Sequence, residues 1–257
     1  MSKIVVLGAG IAGHTAAAHL RRKLGKEHEV LVVSPNRNYQ WVPSNIWVGI
    51  GRMKSKEVIF PLEPLYKRKG IGYKQAKAVS FHPEGDGSEQ KPYILVEGVF
   101  GDNLGKQEKV TYDYLINATG PKLAFDMTEG LVPETNKVYS VCTYDHAEKA
   151  SEALHKLIDQ LKKSDKKSKI LIGTGHAKAT CQGAAFEYIL NVEKELQKFG
   201  VRDKAEITWI SNEYELGDFG MDGMLMDYNG FNMKSKDMVE MIFEDRDIKW
   251  ILGAGVA

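Results

Sequence analysis

Two glycine-rich turns and two cysteines are the residues whose types and spacing could do chemistry in this chain. Gly8-x-Gly10-x-x-Gly13 follows the apolar run Ile4–Leu7 and precedes an alanine-rich segment. In that context the glycines suit a dinucleotide. Gly8 allows the tight turn, Gly10 lets a pyrophosphate approach the backbone, and Gly13 permits close helix–strand packing. Ala9, Ile11 and Ala12 belong to the same expected cradle, and the positive end of the following helix faces the same anion. A tight glycine turn with no ligand is the plain alternative; the strand–turn–helix context weighs against it. A second strand should end in Asp or Glu to bind ribose hydroxyls. Here Glu29–Val33 runs into Ser34-Pro35-Asn36. A serine can still make one such hydrogen bond, so Ser34 and Pro35 are expected beside the nucleotide.

The second turn, Gly173-x-Gly175-x-x-Lys178, lacks the third glycine. Lysine there would crowd the helix–strand contact, which argues against NAD or NADP at this turn. Cys181 stands three residues further into the same helix start, where the positive helix end favours thiolate over thiol. A buried structural cysteine is the alternative, and the motif alone does not choose. Cys142 lies in SVCTYDHA, just before a helix, and does not form a CxxC pair with Cys181. His146 follows it by four residues, one helical turn, and could share its face as a proton carrier. A solvent-facing helix residue is the bland reading of the same spacing. No zincin, serine-hydrolase, Walker or EF-hand pattern occurs.

The elements that must position these residues are legible in outline. Ile4–Leu7, Glu29–Val33 and Tyr114–Ala118 read as core strands, and Ala12 to Leu24 as a helix closed by Gly25. The aromatic segment NRNYQWVPSNIWVG reads as neither regular strand nor helix. Residues 72–116 read as β-rich, 145–163 as an amphipathic helix, 206–211 as a strand, 237–244 as a short helix, and IKWILGAGVA as a final strand. The lysine-rich run 162–169 is either a basic docking patch or, the plainer reading, a solvated loop. Residues 3–20 and 169–190 echo one another as basic residue, apolar strand, Gly-x-Gly turn and alanine-rich helix, which suggests two related α/β units.

Composition bounds the rest. The chain has 257 residues, 43% hydrophobic and 27% charged, which fits one large or two medium globular domains. Lys and Arg total 35 against 34 Asp and Glu, a formal net charge of +1. No charge surplus is available to drive nucleic-acid binding. Two cysteines exclude a disulfide scaffold and a four-cysteine zinc site, and no metal is expected. No run of about 18 apolar residues and no signal-peptide pattern is present, so the default expectation is a cytoplasmic location.

Taken together, LGAGIAGHTAA, YQWVPSNIWVGIG, DYLINATGPKLAF, SVCTYDHAEKA and ATCQGAAFEY resemble the sulfide:quinone oxidoreductases, relatives of flavocytochrome c sulfide dehydrogenase among the two-dinucleotide-domain flavoproteins. The resemblance runs from residue 3 to about residue 257 and matches the amino-terminal part of that family. It implies two Rossmann-like domains, residues 1–125 as the first part of an FAD domain and 126–257 as the second domain. The FAD domain is then incomplete at the C-terminus, with Ala257 inside an unfinished sheet. FAD is expected across Gly8–Gly13, Ser34, Pro35, Pro43, Ser44, Ala78, Thr119 and Gly120.

The resemblance also implies roles. Cys181 is one of two redox cysteines, Cys142 an auxiliary third, and His146 an assisting histidine. Hydrosulfide attacks a cysteine-bound sulfur bridge, a thiolate attacks the flavin, and two electrons pass through FAD to a quinone. Sulfur leaves as polysulfide. Hydrogen sulfide and quinone are thus the partners, with peripheral membrane attachment through segments beyond this chain and homo-oligomerisation left open. The second essential cysteine lies beyond residue 257, and Asp218 stands where some members have histidine. Two other classes stay open: an NAD(P)H-dependent flavin disulfide or ferredoxin reductase, and an inactive flavin-binding fragment.

Overall fold

A computed structural model of the chain describes all residues except Glu134, Asn136, Gly175, Ala177, Lys178, Thr180, Val256 and Ala257. Expectations about Gly175, Lys178 and the last residue therefore lie outside the described residues. In chain order the elements begin β1 (Lys3–Leu7), α1 (Ile11–Leu24), β2 (Glu29–Ser34), β3 (Asn38–Gln40), α2 (Asn45–Gly49), α3 (Ser55–Val58), β4 (Ile59–Pro61) and α4 (Leu62–Lys69). They continue with β5 (Gly72–His82), β6 (Tyr93–Gly98), β7 (Gln107–Thr111), β8 (Tyr114–Asn117), α5 (Tyr144–Lys162) and β9 (Ser168–Gly173). The last are α6 (Gln182–Lys198), β10 (Ala205–Ile210), β11 (Leu225–Tyr228), β12 (Phe231–Lys234), α7 (Ser235–Glu244) and β13 (Ile248–Ile251). The chain divides into two α/β units, Met1–Trp41 with Ile59–Leu123, and Val42–Val58 with Ala124–Ala257.

The first unit holds a six-stranded sheet in the order β7-β6-β5-β2-β1-β8. β5, β2, β1 and β8 run parallel, and β6 and β7 are added antiparallel. The unbroken apolar run of β1 is explained by burial on both faces. Val6 packs with Ala17, Val30 and Val32 on one side, and Val5 and Leu7 pack with Leu31, Val33 and Ile94 on the other. α1 carries His14, whose ring sits among Tyr39, Phe60 and Tyr66, with Nδ1 3.2 Å from the Tyr66 hydroxyl. Burial, reinforced by Lys69, pushes the His14 imidazole below its ordinary value, so it serves as a neutral packing group.

The second unit is a three-stranded parallel sheet, β13-β10-β9, with α6 and α7 as its crossovers. Trp209, Ile207, Ile189, Leu196 and Phe243 form the centre of its core. The segment 42–58 belongs to this unit. Gly49 lies against Val141 and Tyr188, whose hydroxyl donates to the Gly49 carbonyl at 3.2 Å. Arg52 is ion-paired with the buried Glu195 of α6.

Several sequence expectations change. The segment around VPSN is ordered as strand β3, a 3-10 turn at Val42–Ser44 and helix α2, whose Asn45, Ile46, Val48 and Gly49 are buried on more than one side, with Ile50 buried after it. The hairpin β11–β12 was missed although Asn229-Gly230 stands between Met226-x-Tyr228 and Phe231-x-Met233, a hairpin pattern, and its described residues are largely exposed. The terminal strand is short: β13 stops at Ile251. Lysines at 163, 166 and 167 lie in an exposed loop, as the plainer reading had it.

Arg52→Ala should lower the thermal midpoint clearly. It strands the Glu195 carboxylate, buried to 2% exposure, with Lys198 at 3.7 Å as its remaining cation. The expected cost is about 2 to 4 kcal/mol, and the double variant Arg52→Gln/Glu195→Gln should melt higher than Arg52→Ala.

Candidate functional site

In the first unit the glycine turn stands at the carboxyl end of β1, between its neighbours β2 and β8. The one connection that leaves this end runs through α1 to β2, while β8 flanks β1 on the other side, the kind of strand-end position at which open α/β sheets bind ligands. Gly8 has φ +93°, its N–H donates to the Val33 carbonyl at 2.8 Å, and a Cβ on it would overlap the Ala118 carbonyl. A Cβ on Gly13 would overlap the Gly8 carbonyl and press on Ala118. Gly10 is different: nothing lies within 4 Å of its Cβ position. Gly8 and Gly13 are thus fixed by the fold, whereas the open space over Gly10 is what a pyrophosphate would use. Gly10 is the N-cap of α1 and offers no side chain to the first turn, while Ile11 and Ala12 are exposed. The free amides of that turn are an anion cradle.

Around this cradle, Ala9 is buried and Thr119 and Gly120 are exposed. Thr119 is set by Asn117, whose Oδ1 accepts from the Thr119 N–H at 3.2 Å and hydroxyl at 2.8 Å. Ser34 is buried and its Oγ accepts from the Asn36 N–H at 3.3 Å, which leaves its O–H to donate; Pro35 is exposed. Ala78 lies on β5 at a register shift against β6. Pro43 and Ser44 belong to the second unit, in the 3-10 turn before α2.

The second unit carries the thiols. Cys181 is exposed and is the N-cap of α6, with φ 69° and ψ 46°. This corrects the expectation that the helix runs on directly from the glycine turn: Cys181 precedes the helix. The left-handed setting costs a non-glycine residue some strain, and Cys181 shares it with Lys137, Phe219, Asp222, Asn229 and Asp247. Cys142 is also exposed, and its N–H donates to Ser140 Oγ at 3.1 Å. It precedes the N-cap Thr143, so it does not share a helical face with His146, as the i, i+4 spacing had suggested. His146 lies in the first turn of α5, edge-on to Phe125 at 5.1 Å. Its Nδ1 is buried without a hydrogen-bond partner among the described residues.

The carboxyl ends of β9 and β10 are tied together by buried polar groups that sequence reasoning missed. Thr174 Oγ1 lies 3.4 Å from Ser211 Oγ and 3.1 Å from Asn212 Oδ1, and Ser211 Oγ lies 2.8 Å from Glu213 Oε2. Burial, with the Asp218 charge, pushes the Glu213 carboxyl up against the lowering effect of hydrogen bonds from Ser211 and Phe219. Asp218 itself is a turn residue, accepting from the N–H groups of Met221 and Asp222. The one signal in the sequence was polar residues following a buried strand, which is too common to single them out.

An α/β unit with a glycine cradle at its switch point, followed by a second α/β unit with a thiol at a helix end, defines a dinucleotide-dependent redox protein. The profile of the pyridine nucleotide-disulphide oxidoreductase family matches residues 2–193, and the chain belongs to this family, whose members bind FAD. It is 30% identical over 253 residues to the sulfide-quinone reductase of Aquifex aeolicus, covering 98% of this chain and 51% of that protein. It is 27% identical over 214 residues to the mitochondrial sulfide:quinone oxidoreductase of Dictyostelium discoideum, covering 82% and 42%. The X-ray structure of the Aquifex aeolicus sulfide:quinone oxidoreductase superposes with a TM-score of 0.80 at 27% identity, over 99% of this chain and 52% of that one. The chain thus spans about half the length of these relatives. Among the described residues no helix is long and apolar enough to cross a membrane.

The three glycines should separate on substitution. Gly13→Val should unfold the first unit or lower its melting point by several degrees, because backbone must move. Gly10→Val should leave melting of the ligand-free protein within about 1 kcal/mol of the parent, since its Cβ points into open space, yet abolish FAD retention. Thermal melts and flavin absorbance of the two variants check this.

Proposed function

We propose that this chain is the cofactor-cradling and thiol-bearing part of a flavoprotein that oxidises sulfide and passes the electrons through FAD to a quinone. The observation that carries this reading is Cys181: an exposed cysteine in a strained left-handed setting at the N-terminal end of α6, in a chain whose similarity to sulfide-quinone reductase runs over 98% of its length. FAD fits the first unit, because Gly8 and Gly13 shape a cradle in which Gly10 leaves room for its pyrophosphate. Gly8, Ala9, Gly10, Ile11, Ala12 and Gly13 would hold the pyrophosphate, with Ser34 and Pro35 toward the ribose and Thr119 and Gly120 on the neighbouring strand end. Pro43, Ser44 and Ala78 are the remaining proposed contacts. When bound, FAD supplies a two-electron acceptor that a quinone can reoxidise.

The chain's own residues divide the remaining work. Cys181 would take the sulfide sulfur into an S–S bond, a two-electron oxidation for which bound FAD would be the acceptor, and the positive end of α6 faces the sulfur's negative charge. Cys142 is an auxiliary thiol, third after the two redox cysteines. His146 takes up the proton that hydrosulfide loses. Membrane attachment and assembly with further copies fit a quinone-reducing protein.

Cys181→Ser tests the assignment. The flavin-loaded variant should keep its visible absorbance and lose anaerobic bleaching by sulfide by at least about a hundredfold in rate. Normal bleaching would end the catalytic reading of Cys181.

A further inference from the structure

The first unit carries a second concave site, away from the glycine cradle. A cavity of about 510 Å³ opens where β2 and β5 begin, at Glu29, Val30 and Gly72. The cradle stands at the carboxyl end of β1, and β1, β2 and β5 run parallel, so the two sites lie at opposite ends of the strands. The walls come from stretches distant in sequence: the last turn of α1 with the turn that follows it, and the last turn of α4. These bring Arg21, Lys26, His28, Lys67, Arg68 and Lys69 around one opening. Arg21 fastens the wall, with Nη1 donating to the Gly25 carbonyl and Nη2 to the His28 carbonyl at 2.8 Å. His28 Nδ1 accepts from the Ser2 N–H at 3.3 Å, which leaves Nε2 as its donor.

Basic residues in a last helical turn commonly serve the helix itself, by bonding its free carbonyls and offsetting its dipole. In α4 the backbone does the bonding. Gly70 caps it in the left-handed region, φ 67°, and its N–H donates to the Lys67 and Tyr66 carbonyls, while the Ile71 N–H donates to Tyr66 at 3.0 Å. Among the described residues Lys26, Lys67, Arg68 and Lys69 make neither a hydrogen bond nor an ion pair. The acid on the rim, Glu29, is paired with Lys3 at 3.5 Å. The dipoles also fall short: two helix ends supply together about one negative charge. With Glu29 added, they leave a surplus of about three over Arg21 and the four unpaired cations, in a chain whose net charge is +1. We propose that this cavity binds a phosphate-bearing anion, either a free diphosphate compound or the phosphate headgroup of a lipid. Phosphate oxygens accept from ammonium and guanidinium groups alike, and a group of two or three negative charges matches the surplus. The volume is that of a small-molecule site. The site takes no part in the sulfide chemistry and does not depend on it.

The test is calorimetric titration of pyrophosphate into the flavin-loaded full chain, freed of excess flavin, at about 50 mM salt, where exposed charges are little screened. Saturable binding is expected. Lys26→Glu/Arg68→Glu reverses two exposed charges, should melt as the parent does, and should bind at least about tenfold more weakly. Should that reversal lower the melting point, Lys26→Gln/Arg68→Gln takes its place with the same direction of effect. Gly10→Val, whose side chain fills the glycine cradle, should bind pyrophosphate as the parent does, and it serves as the parent if flavin is not retained. Sedimentation with phosphatidylglycerol vesicles names the source. Capture that pyrophosphate competes away assigns the cavity to a lipid headgroup, and titration without capture assigns it to a free phosphate compound. The proposal is overturned if pyrophosphate shows no saturable binding, if the double variant binds as tightly as the parent, or if Gly10→Val removes the binding.

Discussion

Everything in the first unit depends on one close approach, that of the β1–α1 turn to the end of β8. Gly8 and Gly13 leave no space for a Cβ, because the Ala118 and Gly8 carbonyls already fill it. That contact lets α1 start directly at the strand end, with its free amides turned to the crevice instead of into the core. The parallel order of β5, β2, β1 and β8 follows from the same geometry, since β1 must be central for its turn to sit at a switch point. The aromatic group around His14 then fixes α1 on its other side, so the cradle is held rigidly while the residue facing the ligand, Gly10, bears no structural load.

The second unit uses the same strand–turn–helix plan for a different end. Gly173 is pressed against the Ile210 carbonyl, as a dinucleotide turn would be. Beyond it, Thr174, Ser211 and Glu213 satisfy one another, and the helix end presents Cys181. A helix terminus that can stabilise a pyrophosphate can stabilise an anionic sulfur by the same dipole and amides. One architecture thereby supports a cofactor cradle in one unit and a thiol in the other.

The parts of this arrangement legible in the sequence are those governed by local rules. β1, α1 and β2 followed from an unbroken apolar run, three glycines and the Gly25 stop, and α5 from its apolar spacing. The family followed from short motifs spread along the chain. What escaped was set by distant contacts. The aromatic segment folds into β3 and α2 because β4, Tyr188 and Val141 give it something to pack on, and none of these is near in sequence. The i, i+4 relation of Cys142 and His146 failed because Thr143 caps α5 between them, a boundary that periodicity places only to within a residue or two. The hydrogen bond that Glu213 accepts from the Phe219 N–H depends on a loop returning six residues later, for which the sequence has no pattern.

In the proposed function electrons enter from a sulfur donor and not from a nicotinamide. Anaerobic visible spectra of the flavin-loaded protein, recorded after adding sulfide or NADH in separate samples, test it most directly. Loss of the oxidised flavin bands with sulfide, and their persistence with NADH, is the result the account predicts. Rapid bleaching by NADH with none by sulfide would contradict it.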